Sequence, residues 1–274
     1  MFAIISDIHG NLEALQAVLA DIKKREISSI LCLGDVVGYG PNPKECVDLV
    51  RENCRDCLMG NHDHAAFYEP CNFNLAAERA CYWTRRVFET EPDSVARNHR
   101  WKFLGELPVR IQEGEVLYVH GSPRRPINGY LFPEDVFTNP QKITSNFERL
   151  ESDVCFVGNP HQPGVFLDDP YFDPPQELAD APFFDLTQER AIINVGSVGQ
   201  PRDRDPRASY VLIHTPEDVG NGDGKQSLVD AAKGTTVKQV EFVRVEYDIE
   251  TTVQKILAEP ELDDFLGHRL YDGR

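Results

Sequence analysis

Five short apolar runs in this chain end in the same way, and this restricts the fold more than any other feature. Phe2-Ala3-Ile4-Ile5 runs into Ser6-Asp7-Ile8-His9-Gly10-Asn11, Ile30-Leu31-Cys32-Leu33 into Gly34-Asp35, and Cys57-Leu58-Met59 into Gly60-Asn61-His62-Asp63. Val116-Leu117-Tyr118-Val119 runs into His120-Gly121, and Val154-Cys155-Phe156-Val157 into Gly158-Asn159-Pro160-His161. Short apolar runs bounded by turn-forming residues read as buried strands. Leu12, Leu15, Val18, Leu19 and Ile22 then follow the first run at helical spacing, so Asp7 and His9 lie on a strand-to-helix turn with Asn11 placed to cap the helix. Open α/β sheets bind ligands beyond the carboxyl ends of their strands. A fold that aligns these ends gathers carboxylate, imidazole and amide side chains in one place.

A single Asp-x-His is common and alone reads as a turn-orienting Asp beside a surface His. The ordered set is far more specific. Asp7-Ile8-His9, Gly34-Asp35, Gly60-Asn61-His62-Asp63, His120-Gly121 and Gly158-Asn159-Pro160-His161 together resemble the motif series of the calcineurin-like metallophosphoesterases, over residues 1 to about 200. The resemblance implies an α/β (α+β) fold, a four-layer αββα sandwich with two mixed β-sheets, and metal-dependent phosphoester hydrolysis. It implies that Asp7, His9 and His161 bind one divalent ion, that Asn61 and His120 bind a second, and that Asp35 bridges the two. His62 is then left to protonate the alcohol as it departs. Carboxylate, imidazole and amide oxygen suit Mn²⁺, Fe or Zn²⁺, and such a pair of ions activates water and screens a transferring phosphoryl group.

One position departs from the family pattern. Asn159 stands where the last motif has its first histidine, and the proline after it biases its backbone toward extended conformations. It is a neutral, weaker donor than imidazole, so the second ion should be held loosely. Gly38 and Tyr39 stand where the Ser/Thr protein phosphatase branch carries an Asp-Arg pair, which counts against that branch.

The chain's 274 residues suit one domain, 1–274, with insertions near 122–150 and 160–190. Against 45 acidic residues stand 28 basic ones, for a formal charge of −17, which opposes binding to nucleic acid polymers or anionic membranes. No basic leader or long apolar stretch is evident, so a cytoplasmic location is expected. The substrate is then a small phosphomonoester, phosphodiester or nucleotide. A dinucleoside polyphosphate is the alternative, and a degenerate member that binds metal or ligand without turnover is the reading from another class. Asn11 and Arg202 are the expected substrate contacts, Arg202 as a bidentate phosphate clamp, while Arg204 and Arg207 are expected to pair with neighbouring acids.

The remaining readings are structural. Ala76, Ala80, Trp83 and Val87 fall on one helical face, and Val109 to Val119 reads as a hairpin. Cys54 and Cys57 form a C-x-x-C without a second pair, so they read as thiols without a function, with redox chemistry as the alternative. The proline-rich region 160–182 reads as a long loop over the site. Tyr210–Ile213 and the alternating stretch 237–247 read as edge strands of a second sheet, 220–224 as a flexible loop, and the Asp-rich tail as poorly ordered.

Overall fold

Phe2–Ile5 (β1) lies parallel to Ile30–Cys32 (β2) on one side and antiparallel to Ala208–His214 (β11) on the other. In this computed structural model residues 1–186, 189–215 and 238–274 are described, and the glycine-rich stretch 220–224 falls outside them. Asp56–Cys57 (β3), Gln239–Val245 (β12) and Phe183–Asp185 (β9) complete a six-stranded mixed sheet of order β3-β2-β1-β11-β12-β9. A second mixed sheet of six strands comprises Arg110–Glu113 (β4), Val116–Val119 (β5), Val154–Val157 (β6), Ala191–Asn194 (β10), Gly164–Leu167 (β7) and Tyr171–Asp173 (β8), in the order β4-β5-β6-β10-β7-β8.

The period-2 alternation of side chains decides how these sheets stack. In β1, Ala3 and Ile5 pack toward Leu12–Lys24 (α1) and Pro43–Asn53 (α2), while Ile4 points the other way into a core shared with the second sheet. In β5 and β6, Val116, Tyr118, Val154 and Phe156 fill that shared core, with Tyr118 and Phe156 paired across the ladder and stacked at 5.6 Å. Their alternates, Leu117, Val119, Cys155 and Val157, pack outward on Ile143 and Phe147 of Pro140–Arg149 (α7). Helix, sheet, sheet, helix is the resulting order, the expected four-layer αββα sandwich.

Three expectations need correction. β11 and β12 lie inside the first sheet rather than at the edge of a second one, because β11 pairs with β1 and carries an almost wholly buried sequence. The region 160–182 is not a long loop, since β7 and β8 form a hairpin within it and β7 pairs with β10. Its prolines sit at the strand boundaries, where no ladder hydrogen bond is lost. The tail is ordered: Ile249–Leu257 (α8) is followed by Asp264–His268 (α9) and a 3₁₀ turn at Arg269–Asp272. Leu266 and Leu270 bury themselves with Val253, Ile256, Tyr39 and the Ala80–Trp83 face of Leu75–Glu89 (α4). A second helix, Ser94–Gly105 (α5), follows α4, and among the described residues no helix is long and apolar enough to cross a membrane.

Candidate metal centre

The ends of β1, β2, β5 and β6, and the start of Asn61–Phe67 (α3) after β3, meet at one edge of the two sheets. The backbone is forced there. Asp7, His9, Asp35, Asn159 and His161 have φ of 54°, 50°, 52°, 65° and 63°, in the left-handed region that most side chains avoid and that clusters at functional sites. The extended backbone expected of Asn159 is therefore overridden, in a pose that Asn tolerates better than most residues. Cross-loop hydrogen bonds impose these turns: Asp7 N–H donates to Gly34 O, His9 N–H to Asp35 O, and Asn159 N–H to the Asp7 carboxylate. Gly60 is required by proximity, because a Cβ there would lie 2.0 Å from Asp35 Oδ1.

Three imidazoles are oriented alike. His9, His120 and His161 donate Nδ1–H to the carbonyls of Val37, Leu33 and Gln200 at 3.2, 3.1 and 2.6 Å, so each turns Nε2 inward. Anchoring one ring nitrogen on a carbonyl is how metal-ligating histidines are usually held. His161 Nε2 lies 3.1 Å from Asp7 Oδ1 and 3.1 Å from His9 Nε2. His120 Nε2 lies 3.0 Å from Asn61 Oδ1 and 3.4 Å from Asp35 Oδ2. Asp7, His9 and His161 form one buried group that could hold a cation, and Asp7, Asp35 and His120 another. Asp7 Oδ1 is buried with no hydrogen-bond donor aimed at it. Buried carboxylate, amide and imidazole donors converging on one spot fit hard to borderline divalent ions.

Electrostatics follow from this crowding. Burial would raise the carboxyl of Asp7, but His161 and His120 outweigh it and hold Asp7 well below the usual range. Asp35 is likewise held low against burial by His120, His62 and His9. Burial lowers His161 to about 3, with Arg202 adding to the effect, whereas Asp35 and Asp7 overcome burial at His120 and raise it to about 9. Asp63, buried beside Asp35, is raised to about 7; its carboxylate accepts from the N–H groups of Gly60, Val36 and Val37 and so braces the two loops.

A family model described as calcineurin-like phosphoesterase matches residues 1–180. This chain belongs to that family. A protein of Methanocaldococcus jannaschii described as uncharacterized is 38% identical over 285 residues, covering 100% of this chain and 98% of its own length. The crystal structure of a metallophosphoesterase from Sphaerobacter thermophilus matches at TM-score 0.76 and 34% identity, covering 100% of this chain and 98% of that one. A hypothetical protein from Pyrococcus horikoshii, 19% identical, shares the fold at TM-score 0.69, with 100% and 98% covered.

His62 is buried over the centre; its backbone N–H donates to Asp35 Oδ1 at 2.7 Å, and its ring packs against His9, Tyr39 and Phe73. Burial lowers its pKa well below the usual histidine range. Arg202 lies over the Tyr39 ring, donates to Gln200 Oε1 at 2.7 Å and leaves its buried Nε without a partner. Asn11 is committed to structure: its Oδ1 caps α1 through Ala14 N–H and accepts from Thr252, and its amide donates to Gly199 O at 2.8 Å. That speaks against a substrate contact. Asn159 donates its amide to Gly129 O at 2.8 Å. Arg207 pairs with Asp205 as expected, whereas exposed Arg204 has no ion pair among the described residues.

Tyr39, which the motif reading treated only as a missing Arg, is part of the site. Its ring contacts both His9 and His62, with centroids 4.7 and 4.4 Å away. The signal for it was present in the glycines around it, Gly38 and Gly40, which mark a chain passing close to something.

Proposed function

We propose that this chain is a metal-dependent phosphoesterase acting on a small phosphorylated molecule. The observation that carries the reading is the placement of Asp35, whose Oδ2 lies 3.6 Å from His9 Nε2 and 3.4 Å from His120 Nε2. One carboxylate oxygen thus stands between the Asp7, His9 and His161 group and the Asn61 and His120 group. Two divalent ions of the Mn²⁺, Fe or Zn²⁺ kind, held by these residues, supply water activation and screening of phosphoryl oxygens. Asp35 and Asp7 stay ionised through the neutral range, and the Nδ1–H anchors on Val37, Leu33 and Gln200 keep the imidazoles fixed. Arg202, with an unpartnered Nε, is the side chain set to hold a phosphate oxygen.

His62 is neutral in the free protein. A phosphoryl anion beside it raises its proton affinity, so with substrate bound His62 takes up a proton from solvent and can then give one to the departing alkoxide. The charge of −17 favours a small phosphomonoester, phosphodiester or nucleotide over a polyanion. The test is hydrolysis of p-nitrophenyl phosphate and its bis-aryl diester by chelator-stripped protein: activity should vanish and return with added Mn²⁺. Full activity after thorough stripping would overturn the reading.

A further inference from the structure

Phe73 packs on the ring of His62, the residue proposed to protonate the departing alcohol, with ring centroids 4.5 Å apart. Phe73 is also one wall of an open cavity of about 660 Å³, lined further by Cys71, Asn72, Arg125, Pro126, Ile127, Asn128 and Tyr130. Phe73 comes from the turn before α4, and residues 125–130 come from the segment after His120. The cavity thus lies between the two chain segments that leave the candidate centre, and one of them is tied to it by the bond from Asn159 to Gly129.

The walls are specific in kind. Tyr130 is stacked on Phe132 at 5.6 Å with the rings 14° apart, which holds its face in place. Phe73 is held by His62, and Ile127 and Pro126 add aliphatic surface. Arg125, in a chain with a large acidic excess, has no hydrogen bond or ion pair from its guanidinium among the described residues. Two aromatic faces, aliphatic sides, one cation and the two amides of Asn72 and Asn128 suit a flat heteroaromatic group that stacks and also exchanges hydrogen bonds. A small polyol would leave the apolar walls wet. The volume falls in the roughly 300–1,000 Å³ range of small-molecule sites.

We infer that this cavity receives the planar aromatic part of the released alcohol, a nucleoside, so that the substrate is a nucleotide-type phosphoester. The inference rests on the phosphoesterase reading for its chemistry, but the binding it requires does not.

Two measurements separate the possibilities. Phosphate release from adenosine 5′-monophosphate and from glycerol 2-phosphate is compared with Mn²⁺ present, and adenosine binding to the metal-free protein is followed by calorimetry. The unaltered protein should prefer the nucleotide and bind adenosine. In Tyr130→Ala, and in Phe73→Leu, which keeps an apolar contact on His62, the nucleotide-to-glycerol ratio of kcat/KM should fall roughly tenfold and adenosine binding should be lost. If the unaltered protein binds no adenosine, or if both substrates decline together so that the ratio holds, the inference is overturned. If neither phosphoester turns over but adenosine binds and Tyr130→Ala abolishes it, the phosphoesterase reading fails and the cavity assignment stands.

Discussion

Cys81 Sγ lies 3.6 Å from Nδ1 of His62. Burial raises the thiol of Cys81 well above its usual range, so it remains S–H and donates to Nδ1. The proton of the neutral imidazole then sits on Nε2, the nitrogen on the opposite side of the ring. A thiol thus fixes the tautomer of the residue proposed to donate a proton. Cys81→Ala should lower kcat by up to roughly tenfold and alter the pH profile, with Cys81→Ser recovering most of the loss. An alanine variant with unchanged kcat and pH profile would make Cys81 a filler.

His62 itself should matter more. His62→Ala is expected to lower kcat roughly 10²–10⁴-fold at unchanged metal content, and by less for a nitrophenolate leaving group, which hardly needs a proton. Metal analysis beside the kinetics decides, since an equal loss of bound ion would make His62 a ligand. Gly38→Ala provides an independent check. Gly38 has φ of +91°, and a Cβ there would lie 2.3 Å from His62 Nδ1, so the substitution should mimic loss of the imidazole and also lower Tm.

Much of the centre was legible because metal chemistry needs particular donors, and strand ends present them in a fixed order. Asp7, His9, Asp35, Asn61, His120 and His161 converge for that reason. Asn11 caps α1 as read, whereas its reading as a substrate contact came from the fact that a buried amide at a helix start serves equally well as cap and ligand contact, and only partners such as Ala14 and Gly199 distinguish the two. The placement of β11 was not legible, since an apolar strand carries no mark of which sheet it joins; its antiparallel register against β1 is a long-range fact. Tyr39, Phe73 and Cys81 reach the site through packing of α4 and the loop after β2, and no spacing rule records that.

The two halves of the centre should respond differently to pH. His161 is lowered to about 3 and is neutral through the working range, so the Asp7, His9 and His161 group releases no proton from His161 on binding an ion. His120 is raised to about 9, so below that pH an ion at Asp35, Asn61 and His120 must displace a proton. Affinity at the second group should therefore rise by about tenfold per pH unit up to about 9. Calorimetry in buffers of different ionisation enthalpy counts the proton. In metal-free protein the sign reverses: a histidine raised in the fold stabilises fully below its unfolded value of 6.5 and loses that stabilisation as pH rises through about 9. Tm of chelated protein should fall over that window, and a flat profile would refute the protonated state of His120.

Asn159 is the remaining test, because it holds the position where the family places a histidine while making a bond of its own. Its amide is tied to Gly129 O at 2.8 Å and its N–H to Asp7 Oδ2 at 3.0 Å. With φ already at +65°, a conformation that histidine also tolerates, Asn159→His requires little backbone change. It exchanges a neutral amide for a stronger nitrogen donor, so binding of the second ion should tighten and activity at limiting metal should rise. It also removes the bond to Gly129, worth about 1 kcal/mol, so Tm of the metal-free variant should drop slightly. Asn159→Ala separates these effects: it loses the Gly129 bond without gaining a donor, and should lower Tm with no gain in affinity. Calorimetric titration of the apo forms is decisive. Two equally tight ions in the Asn159 protein, unchanged in the His variant, would show that an amide at this position leaves metal binding intact.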